Sequence, residues 1–482
     1  MTFHLPLPDL STLTHGEKDS LILALVARVD TLVSQVEVLT AKVSTLEGML
    51  RKDSHNSSKP PSSDGLGKKT QSLREASGKK PGGQPGHKGN TLKQVAQPTQ
   101  VITHALPEHC KRCGSMLAQQ QTRVVERRQV IDIPVVDCDV IEHQTVALVC
   151  QCGQHHVSAF PPAVTETVQY GPNVRALGVH LTQGQLLPFA RAAQLIADIY
   201  GVELSPGTLV AWVDEARVAL QDTADDIAHS LHTAPLVHAD ESGLRVAGKL
   251  HWLHVAANET HTWYGVHPKR GMEAIAAHGI LPQRRGALVH DCWAPYWQLD
   301  CVHGLCNAHL LRELVYVKEI TGHDWPEQMT QLLLSANAIA AATRQAGIAF
   351  TEDNLAAFRT LYHGILREGD RHHPQARAPT GKRGRVKQSV PFNLLRRLRQ
   401  HADAVLLFLH DPLVPFTNNL GERAIRMPKV KQKISGCFRT IEGAHNFCVI
   451  RSCLDTLAKQ GHGMLDVLRR AFAGNPIQTA CG

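Results

Sequence analysis

The stretch PLVHADESGLRVAGKLHWLHVAANETHTWYGVHP (Pro235–Pro268) decides how the larger part of this chain folds. Apolar and polar residues alternate along it in three runs, broken near Ala247-Gly248 and again at Asn258. That is the pattern of three consecutive antiparallel strands joined by tight turns. Asp240 lies on the first strand, with apolar residues before it and glycine after. EAIAAHGILPQ (Glu273–Gln283) then has helical spacing, and GALVHDCWAPYW (Gly286–Trp297) runs as an apolar strand ending at Asp291.

Three meander strands, a helix and a further buried strand make the start of a ribonuclease-H-like fold. Strand ends carrying Asp240 and Asp291 lie side by side in such a fold, and alternation sends Glu241 and His290 to the opposite faces from their aspartate neighbours. Further on, TNNLGERAIR (Thr417–Arg426) places a lone acid among amides and cations. Thr417 or Asn418 can cap a helix there, so Asn419, Glu422, Arg423 and Arg426 share one face. Alone, such a face is more often solvated surface. Beside two strand-end aspartates, Glu422 completes a carboxylate set suited to two Mg²⁺ ions, or Mn²⁺. MPKVKQKISGCFRT follows directly and adds Lys429, Lys431, Lys433 and Arg439, placed to meet phosphates.

Upstream the chain changes character four times. From Ile22 a heptad repeat runs with Ile22, Val29, Val36, Val43 and Leu50 at a and Leu25, Leu32, Leu39 and Leu46 at d. β-Branched residues at a with leucine at d favour a parallel two-stranded coiled coil, against the alternative of a helix packed on its own domain. The next segment, to about residue 100, is rich in Ser, Pro, Gly and Lys and cannot bury a core. It is a linker, and Lys68, Lys69, Lys79, Lys80 and Lys88 suit salt-sensitive, sequence-blind phosphate contact. Cys110 and Cys113, then Cys150 and Cys152, form two pairs, each followed by glycine as in zinc knuckles. With the alternating stretch between them read as two or three strands, they make a zinc-ribbon-like module with a structural Zn²⁺. His155 and His156 are the competing ligands. ARAAQLIADIYGVELSPGTLVAWVDEARVAL has the spacing, central Gly201 and Ser205 cap of a helix-turn-helix. Its second helix carries Asp214 and Glu215, so an all-helical packing module explains it equally well.

Between Asp291 and Glu422, the residues Cys301, His303, Cys306 and His309 are spaced like metal ligands for a second zinc; a buried cysteine and a core histidine explain the same letters. The helical segments beyond look like an insertion, and GKRGRVKQS (Gly381–Ser389) is a basic loop. The net charge of +8 over 482 residues permits a polyanion partner without proving one. Twelve cysteines are too sparse for a disulfide scaffold and fit reduced thiols in a cytosolic setting. The N-terminus has no signal-peptide pattern and no apolar run reaches the roughly eighteen residues of a membrane span, so neither secretion nor a membrane partner is expected.

The chain resembles the transposases of the insertion sequence 66 family. NSSKPPSSDG (Asn56–Gly65), GGQPGHKG (Gly82–Gly89), the cysteine pairs, DES (Asp240–Ser242), CNAHLLREL (Cys306–Leu314) and NNLGERAIR carry the likeness, in family order and over nearly the whole chain. It implies a DDE triad at Asp240, Asp291 and Glu422 that cleaves DNA and transfers strands, and accessory proteins encoded by the same element. The expected partners are terminal inverted repeats, target DNA and a second copy through the coiled coil, in a bacterial cytoplasm close to the nucleoid. A regulator that binds without chemistry, and a nuclease that cuts without joining, are the alternatives. HDCWAPYW departs from the family's Asp-Gly-Tyr, and Gly421 stands where alanine is common, at a helix cost of about 1 kcal/mol.

The expected architecture is a multidomain α/β chain. It runs as coiled coil (1–52), linker (53–100), zinc module (101–165), helix-turn-helix region (166–232), catalytic core (233–440, with a helical insertion near 315–400) and C-terminal helices (441–482).

Overall fold

Ala247 and Gly248 both adopt positive φ, 48° and 75°, and so close a tight hairpin between β3 (Leu236–Val246) and β4 (Lys249–Ala257). Two residues in that conformation match the right-handed twist of the strands they join. The second turn is held by Asn258, whose Oδ1 accepts from the His261 amide at 2.7 Å, leading into β5 (Thr262–His267). Helix α6 (Met272–His278) carries the chain to β6 (Ala287–His290), and a 3₁₀ turn (Ala294–Gln298) precedes β7 (Val302–Leu305). The sheet order is β5-β4-β3-β6-β7, antiparallel on one side of β3 and parallel on the other.

The computed structural model describes residues 11–50, 52–53, 56–57, 92–117, 122–133, 138–348, 350–376 and 386–479. The linker lysines Lys68, Lys69, Lys79, Lys80 and Lys88, and residues 381–385 of the basic loop, lie outside them. The chain divides into two units. One comprises 1–73, 165–194 and 204–482, the other 74–164 with 195–203.

In the larger unit, α1 (His15–Leu50) begins at a capping box: the Thr14 amide donates to Glu17 Oε2 at 2.8 Å and the Glu17 amide to Thr14 Oγ1 at 3.4 Å. All nine a and d residues of its heptads are exposed. Helices α2 (Pro172–Val179), α4 (Pro206–Ala219) and α5 (Gln221–Thr233) pack with the last two, α13 (Ile441–Lys459) and α14 (Met464–Phe472); a π-helical turn, His180–Gly184, follows α2, and α3 (Phe189–Tyr200) spans both units. The expected second helix of the helix-turn-helix is α4, capped by Ser205 Oγ at 3.0 Å from the Thr208 amide. It buries Leu209, Trp212, Val213 and Ala216; its Asp214 accepts from Asn446 of α13 and its Glu215 pairs with Arg175 of α2.

Two apolar cores flank the sheet. One gathers Leu244, Val246, Val255 and Tyr264 with Ile425 of α12 (Asn419–Ser435) and Phe447 of α13. The other joins Val289 and Leu305 to α7 (Asn307–Thr321), α8 (Trp325–Ala346), α9 (Glu352–His372), α10 (Val390–Gln400) and α11 (Ala402–His410). Among the described residues no helix is long and apolar enough to cross a membrane.

The smaller unit holds the hairpin β1 (Ala147–Val149) and β2 (His155–Val157). Alternation predicts two or three strands between the cysteine pairs; among the described residues there, only β1 forms. The alternating side chains Val124, Val125, Val130, Ile131 and Ile133 are all exposed, so the pattern finds no core to be buried against.

The entry to the parallel pair is tight. Ala287 N donates to Pro235 O at 2.8 Å, and a Cβ on Gly286 would lie 2.5 Å from that same oxygen and 2.8 Å from Ala234 O. Backbone cannot swing aside as a side chain does. We expect Gly286→Ala to lower stability by about 1–3 kcal/mol, read as a fall in the urea midpoint; an unchanged midpoint would contradict this tight packing.

Candidate active site

Pairing of β3 with β6 matches Leu236 to Ala287, Val237 to Leu288 and His238 to Val289. The same offset carried two residues further sets Asp240 opposite Asp291, which follows directly after β6. Side chains alternate along strands, so both aspartates leave the same face. Asp291 Oδ1 accepts from the Trp293 amide at 3.0 Å, and Cys292 between them takes φ 73°.

Helix α12 brings Glu422 to that face through Asn418. This residue is 1% exposed; its Nδ2 donates to Ala239 O at 2.8 Å and its Oδ1 lies 2.8 Å from His238 Nδ1. Its backbone N–H donates to Cys306 Sγ at 3.2 Å, and its carbonyl accepts from the Glu422 amide at 3.0 Å. Asn418 stands at the N-cap position but makes no side-chain cap, because its amide is committed to β3. Gly421 fits this arrangement: a Cβ there would come 3.1 Å from both Oδ1 and Nδ2 of Asn418. Two turns on, Pro428 cannot donate to the Ala424 carbonyl, and the Tyr264 hydroxyl lies 3.1 Å from that oxygen and 2.7 Å from Asp455 Oδ2.

The opposite face carries Glu241, as alternation predicts, but its buried polar partners are ones the sequence does not reveal. Glu241 accepts from Arg270 Nε at 3.1 Å and Nη2 at 2.6 Å, and from the Tyr296 hydroxyl at 2.6 Å. Arg270 is itself sandwiched by Trp252 and Trp293, at 4.8 and 4.4 Å from the ring centres. His290 also faces this side, 4.9 Å from the Tyr296 ring. The acid in the DES motif was the available signal; its partners lie too far along the chain for local pattern to reveal.

Burial, then the nearby Glu241, Asp291 and Glu422, hold the Asp240 carboxyl well above its ordinary range. Burial and Asp291 also raise Glu241, opposed by Tyr296 and Arg270. Asp240 thus feels the charges of Asp291 and Glu422, but among the described residues the oxygens of these three acids do not all come within ligand distance of one another.

Cys306 and His309 stand at the start of α7 and face Glu422. Cys306 Sγ lies 3.5 Å from Glu422 Oε1, and His309 Nδ1 lies 3.7 Å from the same oxygen. The four residues considered for a second zinc do not gather. His303 turns to His290 Nε2 at 3.1 Å and Leu299 O at 3.2 Å, with Cys301 Sγ 3.9 Å from it. Cys306, His309 and Glu422 are the three side chains that come within ligand distance of one another among the described residues.

A family model described as Transposase IS66 family matches residues 167–446, more than half of the chain and all of this site. The chain belongs to that family. A family of unknown function (DUF6444) matches residues 5–93, over α1 and the linker. No curated protein matches the chain.

On α12, Asn419, Arg423, Arg426, Lys429 and Lys433 are exposed. Lys431 is not presented in the same way. Its ammonium lies 4.0 Å from the Phe438 ring centre, and burial pulls its pKa down to about 8. In the smaller unit, Gly114 and Gly153 take φ 72° and 87° at two turns, closed by Gly114 N to Cys110 O at 2.9 Å and Gly153 N to Cys150 O at 2.8 Å. Hydrogen bonds, first from Ser115, lower the Cys113 thiol to about 7, and backbone and side-chain bonds at Cys152 lower Cys150. The four sulfurs do not form one ligand cluster among the described residues.

A raised carboxyl costs stability once it ionises. Folded Asp240 titrates above the ordinary carboxylate value, so in cation-free buffer its contribution to stability is fully present below that value and is lost as pH rises through the folded pKa. Asp240→Asn removes the penalty. At pH 7 without divalent cations the variant should melt about 2–4 °C above wild type, the gap closing as pH falls toward 4. Mg²⁺ should raise the wild-type midpoint more than the variant's. A wild type that melts at or above the variant at pH 7 would contradict the crowding.

Proposed function

We propose that this chain cuts the ends of an insertion sequence and joins them to target DNA, using Asp240, Asp291 and Glu422 as a DDE triad on a ribonuclease-H-like core. The observation that carries the reading is the in-register pair Asp240–Asp291 with the Glu422 helix tied to the same strand by Asn418. The sheet order, with an antiparallel meander followed by two parallel strands, supports that core. The helices between β7 and α12 are read as its insertion.

The donor set fits hard divalent cations, since it is made of carboxylates that repel one another without one. Two Mg²⁺ or Mn²⁺ ions would supply activation of the attacking oxygen and charge stabilisation at the leaving oxygen. The residues themselves do the positioning. Asp240 and Asp291 are fixed by neighbouring strands; Glu422 is fixed by a helix whose first turn is anchored in the core. Arg423, Arg426, Lys429 and Lys433 hold phosphates along the exposed side of α12, with Asn419 orienting the strand. Lys431 is read as a lesser contact, because it is turned onto Phe438.

Two displacements at phosphorus complete the chemistry. Water attacks a phosphodiester at each element end; one P–O bond forms, one breaks, and a 3′-hydroxyl is released. That hydroxyl attacks a target phosphodiester, again exchanging one P–O bond for another, with the proton lost to solvent. No external energy source and no covalent protein intermediate are required.

The exposed a and d stripe of α1 is read as the surface that pairs two copies, so that both ends react together. The cysteine knuckles are read as a Cys110, Cys113, Cys150 and Cys152 set for structural Zn²⁺. With the helical region 166–232, they grip the terminal inverted repeats, alongside accessory proteins of the same element.

Strand-transfer assays on end-containing DNA with Mg²⁺ test the reading. Asp240→Asn, Asp291→Asn and Glu422→Gln should each reduce joining by about 10²–10³-fold or more. Undiminished joining in any of them removes that residue from the triad, and cleavage without joining in the wild type would make the protein a nuclease.

A further inference from the structure

The mixed cluster at the start of α7 carries chemistry that carboxylate-held Mg²⁺ does not need. Cys306 Sγ, His309 Nδ1 and Glu422 Oε1 converge from two elements, with sulfur–oxygen and nitrogen–oxygen separations of 3.5 and 3.7 Å. Ligands bound 2.0–2.3 Å from a tetrahedral ion lie about 3.3–3.8 Å apart, so little movement would close these three around one. His309 Nδ1 is buried and makes no hydrogen bond. Cys306 Sγ accepts the Asn418 amide at 3.2 Å and, as a thiol, donates toward Glu422 Oε1 at 3.5 Å. A buried thiol, an unsatisfied imidazole nitrogen and a carboxylate are the ligand types of a soft or borderline cation, unlike the all-oxygen shell of Mg²⁺.

We propose that Cys306, His309 and Glu422 form a binding site for a thiophilic divalent cation such as Zn²⁺, distinct from the cysteine knuckles, and that its occupation withdraws Glu422 from the Mg²⁺ set. Binding replaces the Cys306 proton, which leaves to solvent, and three protein ligands leave a fourth position open. The consequence is inhibition of Mg²⁺-dependent DNA chemistry by Zn²⁺. That second part rests on the proposed function of Glu422; the site itself does not.

The test uses the full chain, stripped of metal and reloaded with Co²⁺ as the probe, with bound ions counted after desalting and thiolate charge-transfer absorption recorded. Cys306→Ser and His309→Gln should each bind one ion fewer than wild type, while Cys301→Ser should bind the same number. His309 is partly exposed, so its variant keeps the test valid where Cys306→Ser fails to fold, as checked by its melting curve. Equal ion counts in wild type and His309→Gln overturn the site. In parallel, half-inhibition of Mg²⁺-dependent cleavage should need at least about tenfold more Zn²⁺ in His309→Gln than in wild type. A lost ion with unchanged Zn²⁺ sensitivity would leave the site standing and overturn the competition for Glu422.

Discussion

One buried amide holds the candidate site together. Asn418 spans three pieces of chain: its side chain is bound to His238 and Ala239 on β3, its N–H to Cys306 before α7, and its carbonyl to the first turn of α12. A buried amide without those partners would be costly, so the three elements are fixed by each other's polar groups. Glu422 is aimed at the strand of Asp240 because the first turn of its helix hangs from Asn418, which is itself bound to that strand. The closeness of Gly421 to the same amide shows how little space that start leaves.

The carboxylates then set a second constraint, of opposite sign. Asp240, Glu241, Asp291 and Glu422 are close enough that Asp240 resists ionisation, and folding has to hold them together against that repulsion. The scaffold supplies the force. Tyr296 and the Arg270 fork neutralise Glu241 from behind the sheet, and the two cores clamp both flanks of β3 and β6. A site kept under electrostatic load by a rigid frame is a usual arrangement for binding cations, and stability is given up locally for it.

Much of this frame was legible in the sequence because its signals are local. Period-two alternation and the Ala247-Gly248 turn set out the meander, and alternation placed Glu241 and His290 together behind the sheet, where both meet Tyr296. Long-range contacts were not legible. Asn418 reads as a helix cap, yet its side chain is spent on a strand about 180 residues earlier. Cys301, His303, Cys306 and His309 read as one ligand set, but the change from β7 to α7 between them sends His303 to His290 and Cys306 and His309 to Glu422. Among the described residues, the alternation after the first cysteine pair leaves its apolar side chains exposed and forms little strand.

The central claim is that Asp240, Asp291 and Glu422 together hold the two divalent cations. Loading the full chain with Fe²⁺ and generating hydroxyl radicals at the bound ion would map its surroundings by where the backbone is cut. Cuts near all three segments, suppressed by excess Mg²⁺, are predicted. Cuts confined to one segment, or insensitive to Mg²⁺, would contradict the account.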